Sequence, residues 1–147
     1  MPLTNRVAVV TGAGSGLGQA IACEMARRGA HVAALDLDGS SAEETAESIN
    51  AAGGRSVGLT VDVANSESLD AAVSSAVETL GPLAIMVNNA GVLDGYQNVD
   101  EMDEDIWDRV IDIDLKGVYL GCKRALREML PAGYGRIINM ASIAGLN

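Results

Sequence analysis

A glycine-rich segment between an apolar strand and a helix is the feature that most constrains the fold of this chain. Residues 11–18 read TGAGSGLG, directly after the largely apolar run 6–10 and before a helical pattern that extends to Arg28. Glycines let the backbone turn sharply and leave room for a pyrophosphate. The free N–H groups and the dipole of the following helix N-terminus then face the negative charge. The segment therefore predicts a phosphate-binding turn.

The spacing of these glycines distinguishes the turn from the usual dinucleotide fingerprint. In G-x-G-x-x-G the last glycine would fall on Leu17 or Gln19, so the pattern does not fit. The glycines instead follow the pattern T-G-x-x-x-G-x-G through Gly12, Gly16 and Gly18.

Strands and helices alternate along the whole sequence. Strands are predicted at residues 6–10, 31–35, 56–61, 83–87 and 136–140. Helices are predicted at 17–28, 40–53, 65–81 and from 103 to either Pro131 or Gly133. Nearly continuous apolar strands are typical of a parallel sheet covered on both faces. With right-handed crossovers, we expect a doubly wound (Rossmann) α/β sheet of order 3-2-1-4-5, forming one domain over residues 1–147.

Local signals place the start of the second helix. Ser40 and Ser41 are each followed three residues later by a glutamate, Glu43 or Glu44, which predicts overlapping capping boxes.

Composition narrows the function classes. With 20 acidic and 10 basic residues the net charge is −10, which argues against nucleic acid as a partner. Because no apolar run reaches membrane-spanning length and no signal-peptide pattern is present, we expect neither a membrane segment nor secretion, and a cytoplasmic location. Cys23 and Cys122 are interpreted as reduced thiols rather than a disulfide or metal pair. The acidic stretch 94–105 is interpreted as a solvated loop and helix start, and no metal site is predicted.

Motifs at four predicted strand ends point to a family. The glycine pattern and Asp36 are joined by Asp62-Val63, by NNAG at 88–91 and by NMAS at 139–142. Together they resemble the classical short-chain dehydrogenase/reductase family over essentially the whole chain, up to a point before that family's Tyr-x-x-x-Lys motif. The resemblance implies an oxidoreductase that transfers a hydride between a nicotinamide cofactor and a small alcohol or ketone.

Ligands of doubly wound sheets bind beyond the carboxyl ends of the strands. The cofactor-binding residues implied by the resemblance are Gly12, Ser15, Gly16, Leu17, Gly18, Asp36, Asp62, Val63, Asn89, Ala90 and Gly91. A carboxylate at Asp36 would accept hydrogen bonds from ribose hydroxyls and repel a 2′-phosphate, and neither Ser15 nor a neighbour of Asp36 is basic. NAD is therefore predicted as the cofactor. Asp36 as a simple turn residue and Asp62 as a turn or capping residue remain alternatives.

The resemblance also implies catalytic positions. Ser142 matches the serine that hydrogen-bonds the substrate oxygen. Asp114 stands where the family has an Asn that supports a helix distortion and a water relay, and an Asp there lacks the amide donor and would bring a charge into a partly buried place. None of Tyr96, Tyr119 and Tyr134 is assigned the tyrosine role, and we expect no Tyr-x-x-x-Lys pair among them. The chain alone is therefore expected to be inactive.

Two further expectations concern an alternative function of the chain and its self-association. The alternative function is a non-catalytic dinucleotide-binding module, or a fragment that needs a partner. A homo-oligomer is predicted because the fifth strand would form an exposed apolar sheet edge. An apolar face of the long helix, formed by Val118, Cys122, Leu126 and Met129, would also be partly uncovered.

Overall fold

The computed structural model describes residues 3–142. Over this range five strands alternate with helices. The strands are β1 (Val7–Thr11), β2 (His31–Asp36), β3 (Arg55–Thr60), β4 (Leu83–Asn88) and β5 (Arg136–Asn139). The α-helices are α1 (Gly16–Arg27), α2 (Gly39–Ala51), α3 (Ser66–Leu80), α4 (Glu104–Val110) and α5 (Gly117–Ala132), and a π-helical turn (Ile111–Lys116) joins α4 to α5.

The five strands form one parallel sheet in the order β3-β2-β1-β4-β5. This confirms the predicted doubly wound α/β topology. Each predicted strand boundary lies within one residue of the observed one. The difference that matters most for the site is at β1. This strand continues through Thr11, because Thr11 pairs with Leu35 of β2.

The sheet is covered on both faces, as the apolar strands predict. On one face, Val7 and Val9 of β1 pack in a cluster with residues of α3 and α5. On the other face, Ala8 and Val10 pack in a cluster that includes Ala22 of α1. Helix α1 and the α4–α5 helix therefore lie on opposite faces, and the carboxyl ends of the central strands open between them.

Helix α2 begins differently from the prediction. Its N-cap is Asp38, whose carboxylate accepts from the backbone N–H groups of Ser40 at 3.1 Å and Ser41 at 3.4 Å. The two serine hydroxyls also donate to Asp38, at 2.6 and 2.8 Å, and these bonds hold the pKa of that carboxyl below its usual value. The predicted capping boxes are therefore wrong, because the serine hydroxyls donate to Asp38 instead of accepting from the helix.

The predicted long helix is interrupted by a π-helical turn, and it extends past Pro131, the earlier of its two predicted ends. The π-helical turn divides it between Ile111 and Lys116. The last helix contains Pro131, and its C-cap is Gly133, whose φ of +64° is the left-handed conformation that glycine adopts at helix ends. The ending at Gly133 is confirmed, and the ending before Pro131 is wrong.

Candidate functional site

A cleft of about 600 Å³ lies at the carboxyl edge of the sheet. Residues from the glycine-rich turn and α1 line one side, and residues from α4 and the π-helical turn contribute to its lining from the other face of the sheet. All eleven predicted cofactor-binding residues line this one cleft: Gly12, Ser15, Gly16, Leu17, Gly18, Asp36, Asp62, Val63, Asn89, Ala90 and Gly91. The structure thus brings together residues that the sequence spreads over 80 positions, and their role in binding a cofactor stays a prediction.

Steric contacts require glycine at two positions of the turn. Gly12 has a φ of +64°, and a Cβ at this position would lie 2.9 Å from Cα of Ala90. A Cβ at Gly18 would collide with the carbonyl oxygen of Gly12 and lie 2.6 Å from Nδ2 of Asn89. The turn can therefore approach the end of β4 only with glycine at both positions.

The N-terminus of α1 points its free donors toward the cleft. The N-cap Ser15 makes no side-chain hydrogen bond to the first turn, although its carbonyl accepts from Gln19 N–H at 3.1 Å. The N–H groups of the first turn are therefore available to an anion, and the helix dipole favours negative charge at this end.

Thr11 and Asn89 join the ends of β1 and β4 beneath the cleft. The buried Thr11 Oγ1 accepts from the backbone N–H groups of Asn89 at 3.0 Å and Ala90 at 3.1 Å. Nδ2 of Asn89 donates to the carbonyl oxygens of Thr11 at 2.9 Å and Gly12 at 3.3 Å. Asn89 is therefore a structural residue of the site as well as a lining residue. Thr11 was not among the predicted site residues, although it is the threonine that opens the T-G-x-x-x-G-x-G pattern.

The carboxylate of Asp36 is held at the end of β2. Oδ2 accepts from Gly14 N–H at 2.8 Å, and Oδ1 accepts from Asp38 N–H at 3.1 Å. Asp36 is half-buried and lines the cleft. Asp36 therefore stabilises the turn after β2 and also lines the cleft.

Asp62 is exposed and shapes the turn after β3. Its Oδ1 accepts from Ala64 N–H at 2.9 Å, and its own N–H donates to Ser68 Oγ at 3.0 Å. The capping role at α3 belongs to Asn65, whose Oδ1 accepts from Glu67 N–H at 2.9 Å and Ser68 N–H at 3.0 Å. Asp62 is thus the turn residue of the alternative reading and still lines the cleft beside the buried Val63.

Asp114 lies in the π-helical turn and is exposed, so the partly buried position expected for it is wrong. Its Oδ1 accepts from Val92 N–H at 2.9 Å, which ties the helix to the segment after β4. An ionised carboxylate can only accept hydrogen bonds, and this contact needs only an acceptor. The helix distortion is therefore present here with Asp in place of Asn.

Ser142 is exposed and directly follows Met140 and Ala141, both of which line the cleft. The structure thus places the predicted serine at the carboxyl end of β5, on the edge where the cleft opens.

The expectation about tyrosine and lysine needs a correction. Lys123 stands four residues after Tyr119, so a Tyr-x-x-x-Lys spacing does occur. Lys123 Nζ lies 5.7 Å from the ring centroid of Tyr119, and both residues are exposed on α5 outside the residues that line the cleft. The spacing comes from neighbouring positions on one helical face, and it does not bring a tyrosine or lysine to the cleft.

Some lining residues were not predicted from the sequence. They are Leu37, Val61, Val92, Arg109, Ile113, Met140 and Ala141. Arg109 is the only basic side chain that lines the cleft among residues 3–142. The signal that could have identified it is its position one helical turn before Ile113, which places both on one side of the helix.

Within residues 3–142, no cluster of three or more His, Cys, Asp or Glu side chains is placed to hold a metal ion. Over the same range, no helix is both long enough and apolar enough to cross a membrane.

The parallel sheet and the cleft at its carboxyl edge define a Rossmann-type α/β protein. The family model described as short chain dehydrogenase matches residues 6–147. The chain belongs to the short-chain dehydrogenase family.

Individual relatives agree with this assignment. The chain is 40% identical over 144 residues to 2-(S)-hydroxypropyl-CoM dehydrogenase 3 of Xanthobacter autotrophicus, covering 98% of this chain and 56% of that protein. It is 39% identical over 142 residues to a cyclohexanol dehydrogenase of Acinetobacter, covering 97% and 57%. It is 41% identical over 145 residues to a 3-oxoacyl-[acyl-carrier-protein] reductase of Pseudomonas aeruginosa, covering 99% and 58%. The chain thus spans a little over half the length of these relatives.

Proposed function

We propose that the cleft binds NAD and that the protein transfers a hydride between NAD and a secondary alcohol or ketone. The observation that supports NAD most directly is the Asp36 carboxylate, which lines the cleft and is held by the N–H groups of Gly14 and Asp38. A fixed carboxylate accepts ribose hydroxyls well and repels a 2′-phosphate. The residues next to it, Leu35 and Leu37, bring no positive charge that could offset this repulsion.

The residues of the cleft fit the parts of a dinucleotide. The first turn of α1 suits the pyrophosphate, because it begins at Gly16, where an added Cβ would meet no atom within 4 Å. Asp36 suits the adenosine ribose, and Asp62 with Val63 suits the adenine. Asn89 holds Ala90 and Gly91 at the far side of the turn through its bonds to the end of β1. When bound, NAD would supply the acceptor or donor of the hydride.

The remaining predicted residues concern the substrate end. Ser142 would hydrogen-bond the substrate oxygen from the carboxyl end of β5. Asp114 would act as a positioning residue, because its bond to Val92 N–H holds the cleft-lining segment after β4. The relatives named above include dehydrogenases of 2-(S)-hydroxypropyl-CoM and of cyclohexanol, which favours a small secondary alcohol or the matching ketone.

A second candidate is a dinucleotide-binding module without catalysis of its own. It is favoured by the composition of the cleft, because no tyrosine or lysine of residues 3–142 lines it. Both candidates require NAD binding, so cofactor binding is tested first.

Asp36→Asn is the sharpest test of NAD preference. Asn keeps the size of the side chain and an oxygen for Gly14 N–H, and it removes the charge. Calorimetric titration of the unmodified chain should give NAD an affinity at least about tenfold above that of NADP. Asp36→Asn should narrow that ratio, and Glu47→Gln, an exposed charge removal on α2, should leave it unchanged. Tighter binding of NADP than of NAD, or no binding of either, would contradict the proposal.

A further inference from the structure

Arg109 stands on the α4 side of the cleft. It lies one helical turn before Ile113, and both side chains line the cleft. Ile113 fixes this part of the helix, because it packs against the core cluster that includes Val63 and Met86. The glycine-rich turn and α1 approach from the other face of the sheet, where Ala22 of α1 belongs to the opposite cluster. Arg109 therefore faces the cleft from the wall opposite the N-terminus of α1.

The surroundings of Arg109 are acidic, yet it forms no ion pair within residues 3–142. Helix α4 carries Glu104, Asp105 and Asp108. Asp112 of the following π-helical turn pairs with Lys116 at 3.0 Å. Other cations of the described chain do find carboxylates, such as Arg27 with Glu24 at 2.6 Å. The exposed Arg109 side chain thus leaves its guanidinium beside the cleft rather than paired to its own helix.

The cleft needs a positive charge to offset its acidic lining when an anionic ligand binds. Asp36 and Asp62 are the acidic side chains of its lining, and Arg109 is the one basic side chain that lines it in the described part of the chain. A dinucleotide brings two more negative charges on its pyrophosphate. The N–H groups of α1 offset part of this charge from one wall. Without Arg109, the charged side chains of the described lining would be Asp36 and Asp62, and both would repel the pyrophosphate.

We propose that Arg109 is a cofactor-binding residue whose guanidinium binds the pyrophosphate from the wall opposite the N-terminus of α1. A guanidinium offers paired N–H donors that match two phosphate oxygens, and such charged hydrogen bonds are stronger than neutral ones. The adenosine end, bounded by Asp36 and Asp62, calls for hydroxyl and amino donors from the ligand rather than for a protein cation. The inference rests on the proposed binding of NAD and adds to it a residue outside the glycine-rich turn.

Three variants of the whole chain test this role. Arg109→Gln removes the charge, and Arg109→Lys keeps the charge but loses the paired donors. Lys123→Gln is the matched control, because it removes the same charge from an exposed position on the connected helix α5, outside the cleft. Each is titrated calorimetrically with NAD, with ADP-ribose, which has the pyrophosphate but no nicotinamide, and with adenosine, which has neither. Circular dichroism checks that each variant is folded.

Arg109→Gln should weaken NAD and ADP-ribose by about tenfold at low salt, the scale of one charged hydrogen bond in a partly exposed place. The loss should shrink at high salt and be smaller for Arg109→Lys, and adenosine affinity should not change. Equal NAD affinity of Arg109→Gln and the unmodified chain would overturn this inference alone. Equal weakening of adenosine and NAD would also overturn it, because the guanidinium would then lie on the base. Failure of the unmodified chain to bind NAD would overturn the proposed function together with this inference.

Discussion

Asn89 donates two hydrogen bonds to Thr11, and these bonds join the ends of β1 and β4. Thr11 Oγ1 accepts from Asn89 N–H at 3.0 Å, and Asn89 Nδ2 donates to the Thr11 carbonyl at 2.9 Å. The same hydroxyl accepts from Ala90 N–H at 3.1 Å. One side chain therefore satisfies two backbone donors on the floor of the cleft, and this holds the glycine-rich turn against the end of β4.

Replacing Thr11 by Val should destabilise the fold. Valine keeps the shape but leaves the N–H groups of Asn89 and Ala90 without their acceptor, so the free energy of unfolding should fall by about 2 kcal/mol. Thr11→Ser keeps the hydroxyl and should cost only about 1 kcal/mol for the lost methyl group. Urea denaturation of both variants measures the difference. Equal stability of the two would show that the hydroxyl contributes nothing at this position.

The chain by itself should show almost no turnover with NAD and secondary alcohols. A general acid–base group commonly contributes about 10²–10⁴-fold, and no tyrosine or lysine lines the cleft in the part of the chain that the structure describes. Activity of the pure chain should lie near background and should not fall further in Ser142→Ala. Clear turnover that is lost in Tyr119→Phe would instead give the Tyr119–Lys123 pair a catalytic role.

The chain should associate with itself. Leu130 of α5 is 73% exposed, and Leu126, one turn earlier, is 41% exposed. β5 forms one edge of the described sheet, with Ile138 45% exposed. Met129 was expected to belong to the partly uncovered apolar face of α5, but it is buried. It packs in the core against β-sheet residues and beside Gly135.

Light scattering across a salt series tests this association. A dimer or larger assembly that strengthens with salt is expected, because salt screens the net charge of −10. Leu130→Glu should weaken the association by about tenfold if α5 is at the interface, roughly the cost of burying one unpaired charge near a rim. Val99→Glu, in an exposed segment, is the control. A monodisperse monomer at high salt would contradict the prediction.

Acid should destabilise α1 through Glu24. Its carboxylate accepts from Arg27 Nε at 2.6 Å and Arg28 Nε at 2.7 Å, and these bonds lower its pKa from 4.5 to about 2. Because the pKa is lower in the folded chain, the stabilisation is fully present above about pH 4.5 and is lost as the pH falls toward 2. The three side chains are each at least 42% exposed, so the effect should be small.

Thermal unfolding at several pH values measures this effect. Glu24→Gln should lower the melting temperature slightly at pH 7 and make a smaller difference near pH 2. Glu47→Gln, which removes an exposed carboxylate on α2, should change neither value appreciably. A larger effect of Glu24→Gln at pH 2 than at pH 7 would contradict the assigned ion pairs.

Most of the fold could be predicted from local patterns. Apolar runs identify the strands to within one residue, because burial on both faces of a sheet requires apolar residues at nearly every position. The glycine spacing identifies the turn. The contacts that require glycine at Gly12 and Gly18 include Ala90 and Asn89 at the end of β4, so they depend on the tertiary structure. Local patterns did less well where two local solutions compete, as at α2, where Asp38 rather than Ser40 or Ser41 caps the helix.

The sequence by itself determined the order of elements and the parallel sheet, since these follow from periodicity and right-handed crossovers. Its resemblance to the short-chain family indicated eleven of the residues that line the cleft. Only the tertiary structure decided the contacts between distant segments. Thr11 meets Asn89 across 78 positions, and Asp114 meets Val92 across 22. The first contact depends on the register of β1 against β4, and the second on a π-helical turn. Neither leaves a periodic signal in the sequence. For the same reason, the position of Arg109 in the cleft was not predicted. That position depends on how the long helix packs against Val63 and its neighbours.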